Sequence, residues 1–431
     1  MVDIQLIRNN PNKIQDAAKA KGVAIDVQHI LEIDTKYREL ALSVQKLREE
    51  RNKHTESLKG KKPTPEEIAT GKGLKERLEK EEHAMNAVYQ ELQEWLLKIP
   101  NPAKDDVPVG KDESENVVIK TYKEPTKFSF TPKDHLELGE TLDIIDIKRA
   151  AKVSGSRFAY LKNEGALLEF ALVQFAMETL IKERFIPVIP PALIKQNITR
   201  GLGYWQAGGN EEYYLVNDFE LESSGEKEKA NPLYLIGTAE HSIVPMHMDE
   251  VLPKEELPTR YIGFSPAFRR EAGSYGKDTK GIIRVHQFDK VEMVSFVEEG
   301  KDEEELLYLL SLEEKFFQML EIPYQVIKMC TGDLGFPAAK KFDIEAWMPA
   351  QNKYREVTSV STVTDFQARR LLIKYNDGND KKYVTILNGT AFAIGRTIVA
   401  ILENYQQEDG TVVVPEVLRK YVGKDRIGAK K

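Results

Sequence analysis

The sequence has little cysteine: one residue, Cys330, in 431. No disulfide can form within the chain, and a thiolate-rich zinc site is excluded. Its seven histidines show no HxxxH spacing that would suggest a zinc helix. Long apolar runs are absent, so no segment is expected to span a membrane. The first residues, Met1-Val2-Asp3-Ile4-Gln5, carry neither an apolar signal core nor an Arg-rich presequence. A cytoplasmic location is the default expectation. An excess of positive charge is also missing. The net charge is −7, so any nucleic-acid contact must come from a local basic surface. Glycine and proline, at 27 and 20 residues, are too few for a collagen-like or low-complexity chain. With 41% hydrophobic and 30% charged residues, the composition is that of a folded protein of two or three domains.

The strongest periodicity lies near the N-terminus. Ile30, Ile33, Tyr37, Leu40, Val44 and Leu47 alternate steps of three and four, a spacing that runs on through Arg51 and His54 to Leu58. A second seam follows at Leu74, Leu78, Glu81, Met85, Val88, Leu92 and Trp95. Gly60-Lys61-Lys62-Pro63-Thr64-Pro65 separates them, a breaker no helix crosses. Two antiparallel helices are expected, and at 1.5 Å per residue the stretch 30–58 reaches roughly 43 Å. The outer half of this arm, 48–77, carries nine Lys or Arg against six Glu, a local surplus on an acidic protein. Among the cations are Lys53, Lys59, Lys61, Lys62, Lys72 and Lys75. Charge counts alone favour a solvated, salt-bridged surface over a ligand site.

The arm ends at Ile99-Pro100-Asn101-Pro102, and the polar stretch 103–116 reads as linker. Beyond it come short β-rich segments with amphipathic helices at about 167–184 and 303–320. They show no regular βαβ alternation, so an α+β fold with an antiparallel or mixed sheet is expected. The Lys-rich end, 423–431, reads as a frayed tail.

Three strings carry charge where chemistry needs it. Phe268-Arg269-Arg270-Glu271 precedes a loop rich in Gly, Ser, Tyr and Lys, then Gly281-Ile282-Ile283-Arg284-Val285-His286-Gln287-Phe288. A hairpin here would put Arg269 and Glu271 on one strand face, and arginine suits phosphate or carboxylate. A surface ion pair is the plainer reading of that string alone. Asn388-Gly389-Thr390-Ala391-Phe392-Ala393-Ile394-Gly395-Arg396 leads an apolar helix carrying one arginine, which needs an anion or an internal carboxylate. The third runs from Thr331-Gly332-Asp333 through the alternating Lys341-Phe342-Asp343-Ile344-Glu345 to Glu356-Val357-Thr358-Ser359. Its acids and hydroxyls could hold hydrated Mg²⁺, or simply face solvent. For Cys330 a buried structural thiol is the better reading, since no His partner is visible.

Taken in order, these strings resemble the seryl-tRNA synthetases, a family of class II aminoacyl-tRNA synthetases, over nearly the whole chain. Gly237-Thr238-Ala239-Glu240, His286-Gln287-Phe288-Asp289-Lys290-Val291-Glu292 and Thr364-Asp365-Phe366-Gln367-Ala368-Arg369-Arg370 add to the likeness. The resemblance implies a class II antiparallel sheet flanked by helices, preceded by a coiled-coil hairpin. It implies a tRNA-binding domain at 1–102, a linker at 103–125, a catalytic domain at 126–424 and a tail at 425–431. By the same likeness Arg269, Glu271 and Arg396 are catalytic: Arg269 on the α-phosphate and the serine carboxylate, Glu271 on the adenine edge, Arg396 on the γ-phosphate. Phe288 would stack on adenine, with Arg270, Val285, Val357 and Thr358 lining the ATP site. Glu356 and Ser359 would hold Mg²⁺ with ATP, and no zinc is implied. Thr238, Ala239, Glu240, Arg269, Glu292 and Thr390 would bind serine. The lysines of the arm would grip the long variable arm of serine tRNA, across a homodimer formed through 185–191. Arg184 stands where the family usually has glycine. Selenocysteine tRNA is a further possible acceptor. Two other readings stay open: an amino acid ligase for a carrier protein, whose relatives lack the arm and use a zinc thiolate site, and a non-catalytic RNA-binding paralogue.

Overall fold

A computed structural model describes residues 1–204, 212–216, 232–272 and 280–428. Residues 205–211 and 217–231, which make up most of the loop around 207–232, together with 273–279 and 429–431, lie outside the described residues. The chain divides into two compact units, Met1–Pro102 and Ala103–Lys431.

In the first unit two short helices, α1 (Ile4–Asn9) and α2 (Pro11–Ala20), precede the long pair α3 (Val27–Ser57) and α4 (Pro65–Leu97). Both long helices start where the sequence can satisfy their free amides. Asp26 caps α3 by accepting from His29 N. Thr64 and Glu67 form a capping box on α4, with Pro65 in its first turn. The heptad seam is real at its base: Ile30, Ile33, Val44 and Leu47 are buried, and so are Leu78, Val88 and Leu92. Arg8 forks onto the buried Asp34 at 2.6 and 2.7 Å, tying α1 to α3.

Towards the tip the seam changes chemistry rather than dissolving. Arg51 is exposed, but His54 is half-buried and its Nε2 lies 2.9 Å from the carbonyl of Glu67. A Cβ at Gly71 would stand 3.3 Å from that same Nε2, so the missing side chain makes room for the imidazole. Arg48 reaches Glu82 across the pair at 2.7 Å.

The second unit is built on an eight-stranded sheet. Its strands are β1 (Val117–Tyr122), β2 (Ile186–Val188), β3 (Thr259–Phe268), β4 (Gln287–Val297), β5 (Tyr324–Lys328), β6 (Lys340–Met348), β7 (Lys353–Thr364) and β8 (Thr385–Ala393), in the spatial order β1-β5-β6-β7-β8-β4-β3-β2. Every neighbouring pair is antiparallel except β2 with β3. The long helices α6 (Glu164–Lys182), α8 (Asp302–Met319) and α10 (Ile394–Tyr405) share one apolar core with the back of the sheet, including Val291, Met293, Val360 and Leu387. A second core on the front face joins Val294, Phe296 and Ile386 to α7 (Gln196–Leu202) and α9 (Phe366–Leu371). It covers part of that face and leaves the stretch around Lys290, Glu292 and Thr390 to polar side chains. A further short helix, α5 (His135–Thr141), lies between β1 and α6 in the chain.

Residues 103–125, expected as a linker, are packed into this unit. Val107 is buried with Ile327, Met329, Leu334 and Ala338. Asp106 accepts from both Lys328 and Lys340 at 2.6 Å, and 117–122 form the edge strand β1 on β5. Val117-Val118-Ile119 supplied the strand propensity, and the polar residues before it serve as ion-pair partners. Arg184 takes φ +67, the left-handed conformation that glycine adopts without cost.

The fit of His54 over Gly71 gives a test of the arm. Gly71→Leu should push the helices apart, at about 1–3 kcal/mol of local stability. Hydrogen exchange should then speed up across 50–75 and stay unchanged in the second unit.

Candidate active site

Three strand-end and loop segments meet at the front of the sheet. The first follows β3. The strand ends at Phe268 and its partner β4 starts at Gln287, in register with it. Arg269 and Glu271 therefore lie beyond the paired strands, and the two-residue repeat expected to align them does not apply. Other contacts position them. Arg269 N donates to the carbonyl of His286 at 2.9 Å, and its Nε donates to the carbonyl of Gly237 at 3.2 Å. Its guanidinium stands over the Phe288 ring, 5.6 Å from the centroid. Glu271 has φ +53, an uncommon backbone for a non-glycine residue, and pairs with Arg284. Arg270 is exposed at the mouth. Val285 is buried in the back core, so only its backbone can meet a ligand on the front.

The second segment is β4. Its alternation brings Lys290 and Glu292 to the front face, 7% and 1% exposed. Lys290 Nζ is 2.5 Å from Glu292 Oε2 and donates to Thr238 Oγ1 at 3.3 Å. From β8, Thr390 Oγ1 donates to the same Glu292 oxygen at 3.3 Å. Thr238, Glu292 and Thr390 are thus brought together, and the ammonium that joins them belongs to Lys290. Sequence reasoning gave Lys290 no role, although its i, i+2 spacing to Glu292 on a strand was the available signal.

Glu240 sits beside this cluster but faces its own partners. Tyr204 donates to its two oxygens at 2.9 and 3.0 Å, and Gln367 Nε2 donates at 2.9 Å. Burial raises its carboxyl from the ordinary 4.5 to about 7, with Glu292 adding to the rise and Gln367 and Tyr204 opposing it. His241, beside it, accepts from Gly237 N at 3.2 Å, and burial with Arg269 and Lys290 nearby holds it well below its usual range. Ala239 is in the front core. Around the cluster Ser265 Oγ, Gln367 Oε1 and Asn388 Nδ2 are buried without a hydrogen-bond partner among the described residues. That is spare hydrogen-bonding capacity that a polar ligand or water can fill.

The third segment is β7. The pairing of β6 with β7 slips between Ile344 and Glu345, so Asp343 faces Ser359 and Glu345 faces Glu356. This bulge returns Glu356 and Ser359, three apart, to one face of the sheet. Val357 enters the back core, and Thr358 donates to Glu313 of α8 at 2.7 Å. Their side chains therefore turn away from the face where the sequence placed them. Arg396, in the first turn of α10, meets Glu356 at 3.0 Å and donates to the carbonyls of Ile283 and Glu356 at 3.2 and 3.1 Å. Burial works against the charge on Glu356, but Arg396 and Lys341 hold its carboxyl well below the usual range. The two carboxylate and hydroxyl oxygens of Glu356 and Ser359 are hard donors that fit Mg²⁺ carried in by a polyphosphate, which needs few protein ligands. No group of three or more His, Cys, Asp or Glu arranged to hold a metal ion occurs among the described residues.

The arm cations are exposed. Lys59, Lys72 and Lys75 lie 3.7–3.9 Å from Glu56, Glu76 and Glu79, loose pairs on the surface. No ion pair is found for Lys53, Lys61 or Lys62 among the described residues.

The raised carboxyl of Glu240 has a measurable consequence. A folded pKa near 7 against 4.5 means that the site favours the protonated acid, so its contribution is full below pH 4.5 and is lost as pH climbs through 7. Glu240→Gln keeps a donor and an acceptor and cannot ionise. Its urea midpoint relative to wild type should rise from pH 5 to about pH 7 and level off above it; a constant difference across that range would contradict the assignment.

The sequence matches a family model described as seryl-tRNA synthetase N-terminal domain over residues 1–103, and one described as tRNA synthetase class II core domain (G, H, P, S and T) over 219–405. A serine–tRNA ligase from Dictyoglomus turgidum is 43% identical, with 100% of both chains covered. Among solved structures, a seryl-tRNA synthetase from Pyrococcus horikoshii complexed with ATP superposes with a TM-score of 0.89 at 40% identity, covering 100% of each chain. A cytoplasmic serine–tRNA ligase from Naegleria fowleri in complex with AMP gives 0.87 at 30% identity, covering 100% of this chain and 99% of the other. The long N-terminal helix pair, the antiparallel sheet with its flanking helices and the full-length matches agree: this chain belongs to the seryl-tRNA synthetase family, with the class II fold.

Proposed function

We propose that the protein activates L-serine with ATP and transfers the seryl group to serine tRNA. The observation that carries this reading is the buried trio of Glu292, Lys290 and Thr390, in which Thr390 Oγ1 meets Glu292 at 3.3 Å and Lys290 at 2.5 Å neutralises the acid. A substrate hydroxyl entering there finds a charged acceptor and a second hydroxyl. An apolar analogue would cover these groups without offering a hydrogen bond in return for the water it displaces, which is how such sites disfavour alanine. Relatives bound to ATP and to AMP support the nucleotide half.

In the first step a serine carboxylate oxygen attacks the α-phosphorus, and the bond to the β-phosphate oxygen breaks to release pyrophosphate. Arg269 is the cation for the α-phosphate and the carboxylate. Phe288, under that guanidinium, offers a face for adenine, and Glu271, fixed by Arg284, an acceptor for its amino group. Arg396 would leave Glu356 for the γ-phosphate, and Glu356 with Ser359 would then hold Mg²⁺, which spreads the phosphate charge. In the second step the terminal ribose hydroxyl of the tRNA attacks the seryl carbonyl, AMP departs, and no covalent enzyme intermediate is required. Catalysis of this kind is positioning plus charge neutralisation. Val285, Val357 and Ala239 would contribute backbone and shape.

In this reading residues 1–102 are the tRNA-binding domain, and most of the remaining chain, including the strand within 103–125, is the catalytic domain. The exposed apolar side chains Phe170, Ile181, Ile186 and Ile189 on and after α6 support a homodimer through the 185–191 segment. No helix is long and apolar enough to cross a membrane among the described residues, in keeping with a cytoplasmic enzyme.

Serine-dependent ATP–pyrophosphate exchange tests the first step. Arg269→Ala should abolish it in a folded protein, and Thr390→Val should weaken serine more than alanine, by about ten-fold for one hydrogen bond to a charged group. Near-normal exchange by Arg269→Ala would remove that residue from the α-phosphate. The arm is tested separately. Changing Lys59, Lys61 and Lys62 to Glu should leave exchange intact and raise the tRNA KM, with a steeper loss at higher salt in wild type than in the variant.

A further inference from the structure

At the phosphate end of the site lies a buried histidine–carboxylate pair that the mechanism above does not use. His135 opens α5 and is 5% exposed; Glu403, on α10, is 0% exposed. His135 Nδ1 lies 3.1 Å from Glu403 Oε1, and Glu403 Oε2 accepts from Ala350 N at 3.1 Å. The other ring nitrogen, Nε2, accepts from Ile282 N at 3.3 Å. A backbone N–H can only donate, so Nε2 carries the lone pair and the ring proton sits on Nδ1, facing the carboxylate.

The next carbonyl along the turn, that of Ile283, accepts from Arg396 Nε at 3.2 Å. Arg396 and Glu403 lie two turns apart on α10, so the contacts close a ring: Glu403, His135, the 281–283 turn, Arg396 and back along the helix. Gly281 makes the approach possible. It has φ +75, and a Cβ there would fall 1.9 Å from His135 Nε2. Arg284 and Val285 follow directly, so the same turn carries the residue that fixes Glu271.

We propose that His135 is a positioning residue for ATP, acting through the acceptor lone pair of Nε2, which fixes the 281–283 turn and so aims Arg396 at the γ-phosphate. This rests on the assignment of Arg396 to ATP. Glutamine and asparagine separate the two ring nitrogens. In His135→Gln the side-chain oxygen can reach the place of Nε2 and accept from Ile282 N. In His135→Asn the amide can replace Nδ1 towards Glu403 but leaves Ile282 N without an acceptor.

KM for ATP and for serine would be measured by pyrophosphate exchange on the full-length enzyme, with thermal midpoints taken alongside. His135→Asn should raise the ATP KM about five- to ten-fold, the worth of one buried hydrogen bond, and leave the serine KM within about two-fold. His135→Gln should stay within about two-fold of wild type for both. Equal behaviour of the two variants, or an equal rise for serine and ATP, would overturn the proposal. Should His135→Asn fail to fold, Gly281→Ala, which drives a methyl group onto Nε2, is read instead: a raised ATP KM with serine unmoved supports the proposal, and an unmoved ATP KM overturns it. Arg396→Ala in the same assay separates the two levels. Full exchange without that arginine removes its phosphate role, whereas its loss beside normal ATP KM values in the histidine variants removes only the role of His135.

Discussion

A strand can show only every second side chain to one face, and the site depends on how the central strands use and break that rule. On β4 the rule holds: Lys290 and Glu292 face front and Val291 and Met293 face the helices behind. On β7 it is broken at the slip beside Val357, and that break turns an i, i+3 pair into neighbours on the same face. Without the bulge Glu356 or Ser359 would point into the apolar core. The sheet thus separates two chemistries across a single layer of backbone: helices and hydrocarbon behind, cations, acids and hydroxyls in front.

Several charges of the front face are already paired before any ligand arrives. Glu292 is nearly sealed from water and would be costly as a lone charge; Lys290 offsets that at 2.5 Å. Arg396 is balanced by Glu356 at 3.0 Å, and Glu271 by Arg284. A ligand that reaches Glu292, Arg396 or Glu271 therefore exchanges partners within existing pairs. Such an arrangement lowers the cost of burying these charges in the free protein. Glu240, locked by Tyr204 and Gln367, has no such freedom and shapes the pocket by its fixed position.

Much of this was legible in the sequence, where it followed from spacing. The steps of three and four gave the arm, and the base of the predicted seam is the buried stripe. The charged strings brought Arg269, Glu271 and Arg396 forward because arginines and acids stood in otherwise apolar segments, whereas Glu292 and Thr390 came forward only through the family resemblance. What could not be read depends on pairing partners. The slip that turns Val357 and Thr358 backwards is a property of β6 and β7 together, so one strand's sequence does not reveal it. The placement of Arg269 and Glu271 beyond the strand ends is set by contacts to Gly237, Arg284 and His286 from other segments. Lys290 was missed because a lysine on a strand reads as solvent-facing until its carboxylate neighbour is known to be buried. The stretch at 103–125 looked like a linker because the partners of its charged residues lie far along the chain, as Lys328 and Lys340 do for Asp106.

Selection of serine for adenylation is proposed to rest on the pocket formed by Glu292, Lys290 and Thr390. It is tested most directly by ATP–pyrophosphate exchange on the purified wild-type protein with each of the twenty amino acids in turn. Serine should support rapid exchange, with alanine, cysteine and threonine far behind it. Exchange driven best by another amino acid, or by none, would show that the pocket does not select serine.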